Sequence, residues 1–267
     1  MSWIIARRRR PVAGYAVVLL GLIAVGVIYA AFTAQGSPAS ASSPAASQRD
    51  TSLGRQLFVQ NCSSCHGFMA QGTSSGPSLI GVGAAAVNFQ VSTGRMPLKE
   101  IDAEASRKLP VLTPAQTQEI AAYIASLGGG PAIPDAAQVS TRGADVGLGQ
   151  ELFTTNCAQC HNFVGAGGAL TYGKYAPALT QSTPTQIYEA MLTGPEAMPV
   201  FNDTTITPSE KRDIIAYVTE TRSATNPGGF SLGRIGPVTE GLVGWIGGMG
   251  ALVLSALWIT AKRRVHE

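Results

Sequence analysis

The sequence predicts an all-α protein in which two small helical domains stand in tandem between two apolar helices of membrane-spanning length. Three observations predict this class. A block holding two cysteines and one histidine occurs twice, at an offset of 95 residues. Each copy is flanked by stretches of helical period, the last of them opened by Thr-Pro. An uncharged apolar run of about 20 residues lies near each end of the chain, long enough to cross a bilayer.

The composition agrees. Of 267 residues, 45% are hydrophobic and only 13% charged, low for an ordinary soluble chain. Much of the apolar excess sits in the two end runs. The net charge of +3 is uneven: Arg7 to Arg10 and Lys262 to Arg264 carry seven of the 19 basic residues. The stretch between is near neutral and offers no footprint for nucleic acid.

In chain order, residues 1–33 read as an N-terminal transmembrane anchor, with Arg7 to Arg10 before an apolar run from Val12 to Phe32. A cleaved signal has an apolar region of about 7–15 residues, so a retained anchor is preferred over a long signal cut near Ala34 or Ala39. Residues 34–50 are small and polar, a flexible linker. Residues 51–128 form the first domain and 145–225 the second, joined through 129–144, with Gly128 to Pro134 as the punctuating stretch. A further linker at 226–240 leads to a second transmembrane helix at 241–262 and a tail at 263–267. The positive-inside rule places both termini in the cytoplasm and both domains on the outer face of the cell membrane. Gly244, Gly247, Gly248 and Gly250 provide a small-residue face for helix packing.

Matched landmarks recur within the repeat. Gly54, Leu57 and Phe58 correspond to Gly149, Leu152 and Phe153; Pro77-Ser78-Leu79 corresponds to Pro177-Ala178-Leu179. Thr113-Pro114 opens a helix bearing Ile120, Tyr123 and Ile124, and Thr207-Pro208 opens one bearing Ile214, Tyr217 and Val218. Threonine caps a helix N-terminus, and proline fits the first helical position, where its missing N–H costs nothing. Tyr123 and Tyr217 read as packing residues.

Asn61-Cys62-Ser63-Ser64-Cys65-His66 and Asn156-Cys157-Ala158-Gln159-Cys160-His161 account for every cysteine. Each is C-x-x-C-H, the attachment signature of a c-type haem. Two thiols bond the porphyrin vinyl groups, and the adjacent histidine binds the iron. Disulfides explain the even cysteine count but not the histidine after each pair. Zinc would leave six ligands in two separate clusters, an awkward number for tetrahedral sites. Two covalently bound c-type haems are therefore expected, on Cys62 and Cys65 with His66, and on Cys157 and Cys160 with His161.

The second axial ligand follows by elimination. His266 lies in the tail, Met69 is too near His66 to reach the opposite face, and Met1 and Met249 lie at the membrane ends. Met96 and Met198, each before a proline in matched loops, are the candidates, with Met191 in reserve. A ligating histidine usually donates its other ring N–H to a carbonyl, and Pro77 and Pro177 are placed to provide one.

The units Cys62 to Met96 and Cys157 to Met198 each resemble a class I cytochrome c domain. With the strings GRQLFVQNCSSCHGF and GQELFTTNCAQCHNF, the tandem order and both apolar runs, the whole chain resembles the dihaem subunit (cytochrome cc) of the actinobacterial cytochrome bcc complex. That resemblance implies a membrane-bound relay and an enzyme role only as the haem subunit of a menaquinol–cytochrome c oxidoreductase, a translocase. The implied partners are a cytochrome b subunit, a Rieske iron–sulfur subunit, the terminal cytochrome c oxidase and membrane lipid. The first haem would face the Rieske donor and the second the oxidase. Rival readings are the dihaem subunit of another membrane dehydrogenase or oxidase, a dihaem peroxidase or sulfur-compound dehydrogenase, and a sensor module. The longer second loop (Gly165 to Gly168, Tyr172, Lys174, Tyr175) and the extra Leu98 to Leu109 segment are equally consistent with partner docking and with surface decoration.

Overall fold

The structure, a computed structural model, describes residues 11–34, 51–100, 104–224 and 237–264. The Arg7 to Arg10 head, the 34–50 linker apart from Ala34, residues 226–236 and the end of the tail lie outside the described residues; residues 237–240, expected as linker, are helical. The chain divides into two units, residues 1–49 and 50–267.

The first unit contributes helix α1 (Pro11–Ala34). Its apolar stretch with described side chains, Tyr15–Val27, is in the 10–17 residue range, shorter than a span.

In the second unit the first domain is built on α2 (Ser52–Asn61), the short α3 (Ser63–His66), α4 (Gly83–Ser92) and α5 (Pro114–Ser126). Helix α5 packs against both α2 and α4. Apolar residues at helical spacing meet there: Leu57 and Phe58, Val87 and Val91, Ile120 and Ile124. The second domain repeats the plan with α6 (Val146–Asn156), α7 (Ala158–His161), α8 (Pro184–Thr193) and α9 (Pro208–Ser223). Phe153, Tyr188, Met191, Ile214 and Ile215 fill its core.

Both Thr-Pro starts are full capping boxes. The Thr113 hydroxyl accepts from the Gln116 N–H at 3.3 Å while the Thr113 N–H donates to Gln116 Oε1 at 2.9 Å. Thr207 and Glu210 do the same, and Thr183 with Gln186 forms a third box on α8. Where α2 crosses α5 and α6 crosses α9, glycine stands at the contact. A Cβ on Gly54 would run into the Glu119 carbonyl, and one on Gly149 into that of Asp213. Next to each crossing a phenylalanine tilts against a tyrosine: Phe58–Tyr123 at 5.5 Å and 51°, Phe153–Tyr217 at 5.3 Å and 50°.

The two domains meet through α4 and α8. Asn88 Nδ2 donates to Glu189 Oε1 at 2.7 Å, and Gln186 Nε2 to Ser92 Oγ at 3.3 Å. Gly128 to Pro134 lies folded on the first domain rather than forming a free joint. The Ala85 N–H donates to the Pro131 carbonyl at 3.0 Å, and Ile133 packs on the first core.

One feature departs from the all-α expectation. The long loop of the second domain contains a two-stranded antiparallel hairpin, β1 (Gly168–Ala169) with β2 (Tyr175–Ala176), in register Gly168 to Ala176. Its counterpart is the single bridge between Thr73 and Gly76. The extra residues lengthen that bridge, and strands of two residues leave no readable period.

Helix α10 (Pro237–Arg264) includes Gly241–Ala261, 21 residues long and apolar enough to cross a membrane, with every side chain outward. Among the described residues, nothing beyond the helix's own backbone lies within 4 Å of a Cβ added at Gly244, Gly247, Gly248 or Gly250.

Candidate functional site

Each C-x-x-C-H motif is a break between helices. Helix α2 ends at Cys62, whose N–H still donates to Phe58 O at 2.8 Å, and a new turn starts at once, with His66 N–H on Cys62 O at 3.0 Å. In the second copy the distances are 2.8 Å for Cys157 to Phe153 and 2.9 Å for His161 to Cys157. The turn places both thiols of a pair on one side, three residues apart, with the histidine one position on.

The chain then swings away. Gly67 (φ 78°, ψ 154°) and Asn162 (φ 66°, ψ 160°) occupy equivalent positions in a region that favours glycine. The loop returns beneath the histidine: the Gly72 N–H donates to His66 O at 2.8 Å, and the Gly167 N–H to His161 O at 2.9 Å. Gly76 and Gly168 pass so near the motif that a Cβ on either would meet the Cys65 or the Cys160 carbonyl at 2.9 Å.

This return sets the imidazoles. His66 Nδ1 lies 2.7 Å from Pro77 O, and His161 Nδ1 lies 3.0 Å from Pro177 O. The two loops differ in length, 11 residues against 16, yet each presents a proline carbonyl to Nδ1. A carbonyl oxygen only accepts, so Nδ1 carries the proton and Nε2 presents its lone pair. Burial holds His161 below the ordinary histidine pKa and so favours neutral imidazole, offset in part by the Pro177 hydrogen bond.

No disulfide joins any of the four cysteines, and among the described residues no group of three or more His, Cys, Asp or Glu converges on one point. Burial, with the neighbouring Cys65, pushes Cys62 up to about 11; burial, with Cys160, pushes Cys157 up to about 12.

The second site opens into a cavity of about 260 Å³. Cys157, Cys160, His161 and Pro177 line it together with Met191 and Met198, between apolar walls such as Phe153 and Ile187. Met191 is buried in the core beside Tyr188, whereas Met198 is half-buried on an irregular loop, its N–H on Pro195 O at 3.0 Å. In the first domain Met96 packs against the core with its N–H on Gln90 O at 3.0 Å. Two thiols, an imidazole with a free Nε2 and a thioether around an apolar void fit a covalently held haem.

Tyr123 and Tyr217 pack on phenylalanines, and the Tyr217 hydroxyl donates to Phe163 O at 2.8 Å. The reading of motifs matched Gly54 with Gly149 but missed Gly72 and Gly167, whose signal was their recurrence at the same repeat offset. It also missed Arg95, which belongs to the first domain but lines the second cavity; nothing in the sequence signals that.

Comparison with known proteins agrees with this geometry. Residues 51–128 match the family model described as cytochrome c, and residues 144–218 match that of cytochrome c oxidase, cbb3-type, subunit III. The chain is 45% identical over 273 residues to the cytochrome bc1 complex cytochrome c subunit of Corynebacterium efficiens, covering 95% of this chain and 90% of the relative. It is 47% identical over 262 residues to the protein of that name from Mycobacterium bovis, covering 96% and 93%. For the Mycobacterium leprae protein the figures are 51% over 215 residues, covering 78% and 74%. The two domains are cytochrome c domains, which bind c-type haem covalently. With two such domains and, among the described residues, one membrane-length helix near the C-terminus, the chain belongs to the family of cytochrome bc1 complex cytochrome c subunits and is a respiratory electron-transfer subunit.

Proposed function

We propose that this chain is a tethered two-haem relay, taking electrons from a Rieske iron–sulfur subunit that oxidises menaquinol and delivering them to a terminal cytochrome c oxidase. Cys62 and Cys65 hold one haem and Cys157 and Cys160 the other. Each haem, when bound, supplies an iron that takes up and releases one electron. His66 and His161 present Nε2 as proximal ligands, Pro77 and Pro177 fix their ring orientation and proton, and Met96 and Met198 close the opposite faces. A thioether raises the potential of a haem relative to a second imidazole, and filling both axial positions leaves no open site for peroxide chemistry. The observation that carries the reading is the doubled imidazole-to-proline-carbonyl contact.

In this reading both α1 and Gly241–Ala261 cross the membrane, with Arg7 to Arg10 and Lys262 to Arg264 inside and both domains outside. A cytochrome b subunit and lipid surround the spans. The first haem faces the Rieske donor and the second the oxidase.

Alkaline pyridine spectra should give two covalent haems per chain. Met96→Leu and Met198→Leu should each convert one of them to a high-spin or low-potential form, with the reduced wild type nearly inert to carbon monoxide. A single haem per chain, or spectra and midpoints unchanged in both variants, would sink the assignment. Copurification with cytochrome b, Rieske and oxidase subunits tests the partners.

A further inference from the structure

Arg95 is a cation of the first domain inside the cavity of the second. Only 7% of it is exposed, and its guanidinium lies over the Phe89 ring at 5.0 Å. Its Nη1 has no hydrogen-bond partner, and among the described residues no carboxylate forms an ion pair with it. Glu196 and Glu104 line the same cavity and attract the guanidinium, but neither is within ion-pair distance of it. Glu104 Oε2 accepts from the Tyr175 N–H at 3.0 Å, Arg107 bonds Gln181 O at 3.0 Å and Gln186 Oε1 at 3.2 Å, and Glu196 is exposed. The Arg95 backbone is pinned, its carbonyl accepting from Lys108 Nζ at 3.0 Å. A buried cation with an unmade hydrogen bond is costly unless an anion meets it. The occupant of this cavity carries anions: a haem tied by its vinyl edge to Cys157 and Cys160 has two propionate carboxylates at the opposite edge.

We infer that Arg95 of the first domain pairs with a propionate of the haem held by the second. This deepens the relay reading and rests on it. Arg95 also directly precedes Met96, so a single peptide unit joins the thioether of one haem site to the counter-charge of the other. A guanidinium beside the propionate disfavours the additional positive charge of ferric iron, and so raises the potential of the second haem. Folding of the first domain thereby sets an electronic property of the second, and Arg95 is a positioning and electrostatic residue, not a ligand.

Redox titration of the haem-loaded full-length protein tests this with Arg95→Gln and Arg95→Lys, each also made in a Met198→His background that moves the second haem's wave away from the first. Arg95→Gln should lower the reduced-to-oxidised ratio of that displaced wave about tenfold at fixed potential, and Arg95→Lys should restore most of it. An unmoved second wave with two haems present, or a shift confined to the first haem, overturns the inference. Fewer than two haems in the wild type would instead refute the relay reading. Infrared redox-difference spectra of the wild type give a readout independent of variant folding. A band that shifts both with 13C-labelled haem propionates and with 15N-labelled arginine is expected, and its absence overturns the pairing.

Discussion

The two domains of this chain are the same device with different surroundings. Gly54 and Gly149 permit the same helix crossing, Phe58–Tyr123 and Phe153–Tyr217 make the same tilted pair, and Pro77 and Pro177 approach the same histidine nitrogen. They differ at the face each turns to the other. The segment after Met96, absent from the second copy, uses Arg107 to bind Gln181 and Gln186. The lengthened loop after His161, absent from the first, brings the Tyr175 N–H to Glu104. Sequence left these insertions open between partner docking and decoration. In the structure, Glu104 and Arg107 of the first insertion hold the second domain, while Tyr172 at the hairpin tip stays 95% exposed. A tandem arrangement is heterologous, one face of the first copy meeting an unlike face of the second, so the copies must diverge there.

The strongest way to break the equivalence is at the helix crossings. Gly54→Ala and Gly149→Ala should each destabilise their domain by roughly 3 kcal/mol, since the added methyl meets backbone that cannot rotate aside. Thermal unfolding of the haem-loaded protein, followed at each haem, should show matching losses. A tolerated alanine at one crossing would show that the two cores are not built alike.

The interface gives a pH-dependent test. Burial pushes Glu189 from an ordinary 4.5 to about 8, opposed by the Asn88 hydrogen bond. The folded protein therefore binds a proton that the unfolded chain releases near 4.5. The stabilising contribution is complete below that pH, declines as pH rises, and is gone above about 8, a loss on the order of a few kcal/mol. Glu189→Gln should flatten this decline in melting temperature, and a wild-type slope unchanged by the substitution would remove Glu189 from the account.

The smallest effect sharpens the comparison at Gly67 and Asn162. The backbone there suits glycine, so Asn162→Gly should stabilise the second domain by about 1 kcal/mol and Gly67→Asn should cost the first a similar amount. Denaturation midpoints moving in the same direction for both exchanges would contradict the shared geometry.

Much of the helical fold was legible because its signals are local. Thr113-Pro114 and Thr207-Pro208 announce their helices through a hydroxyl and a ring constraint within four residues, and Cys62 to His66 states its chemistry within five. The hairpin was not legible, because a bridge lengthened by a few residues has no periodicity. Nor was the packing of Gly128 to Pro134, whose composition marks a joint between domains but not that Pro131 and Ile133 are bound to the first. Nor was Arg95, which the fold places in the lining of a cavity around Cys157 and His161, more than 60 residues further along the chain.

The sequence by itself determined the attachment chemistry, the duplication and the apolar run at 241–261, since each depends on residues that are neighbours in the chain. Only the tertiary structure decided which glycines admit a crossing helix and which domain supplies the cation in the second cavity. Those outcomes depend on contacts between distant segments, set by how two packed surfaces fit.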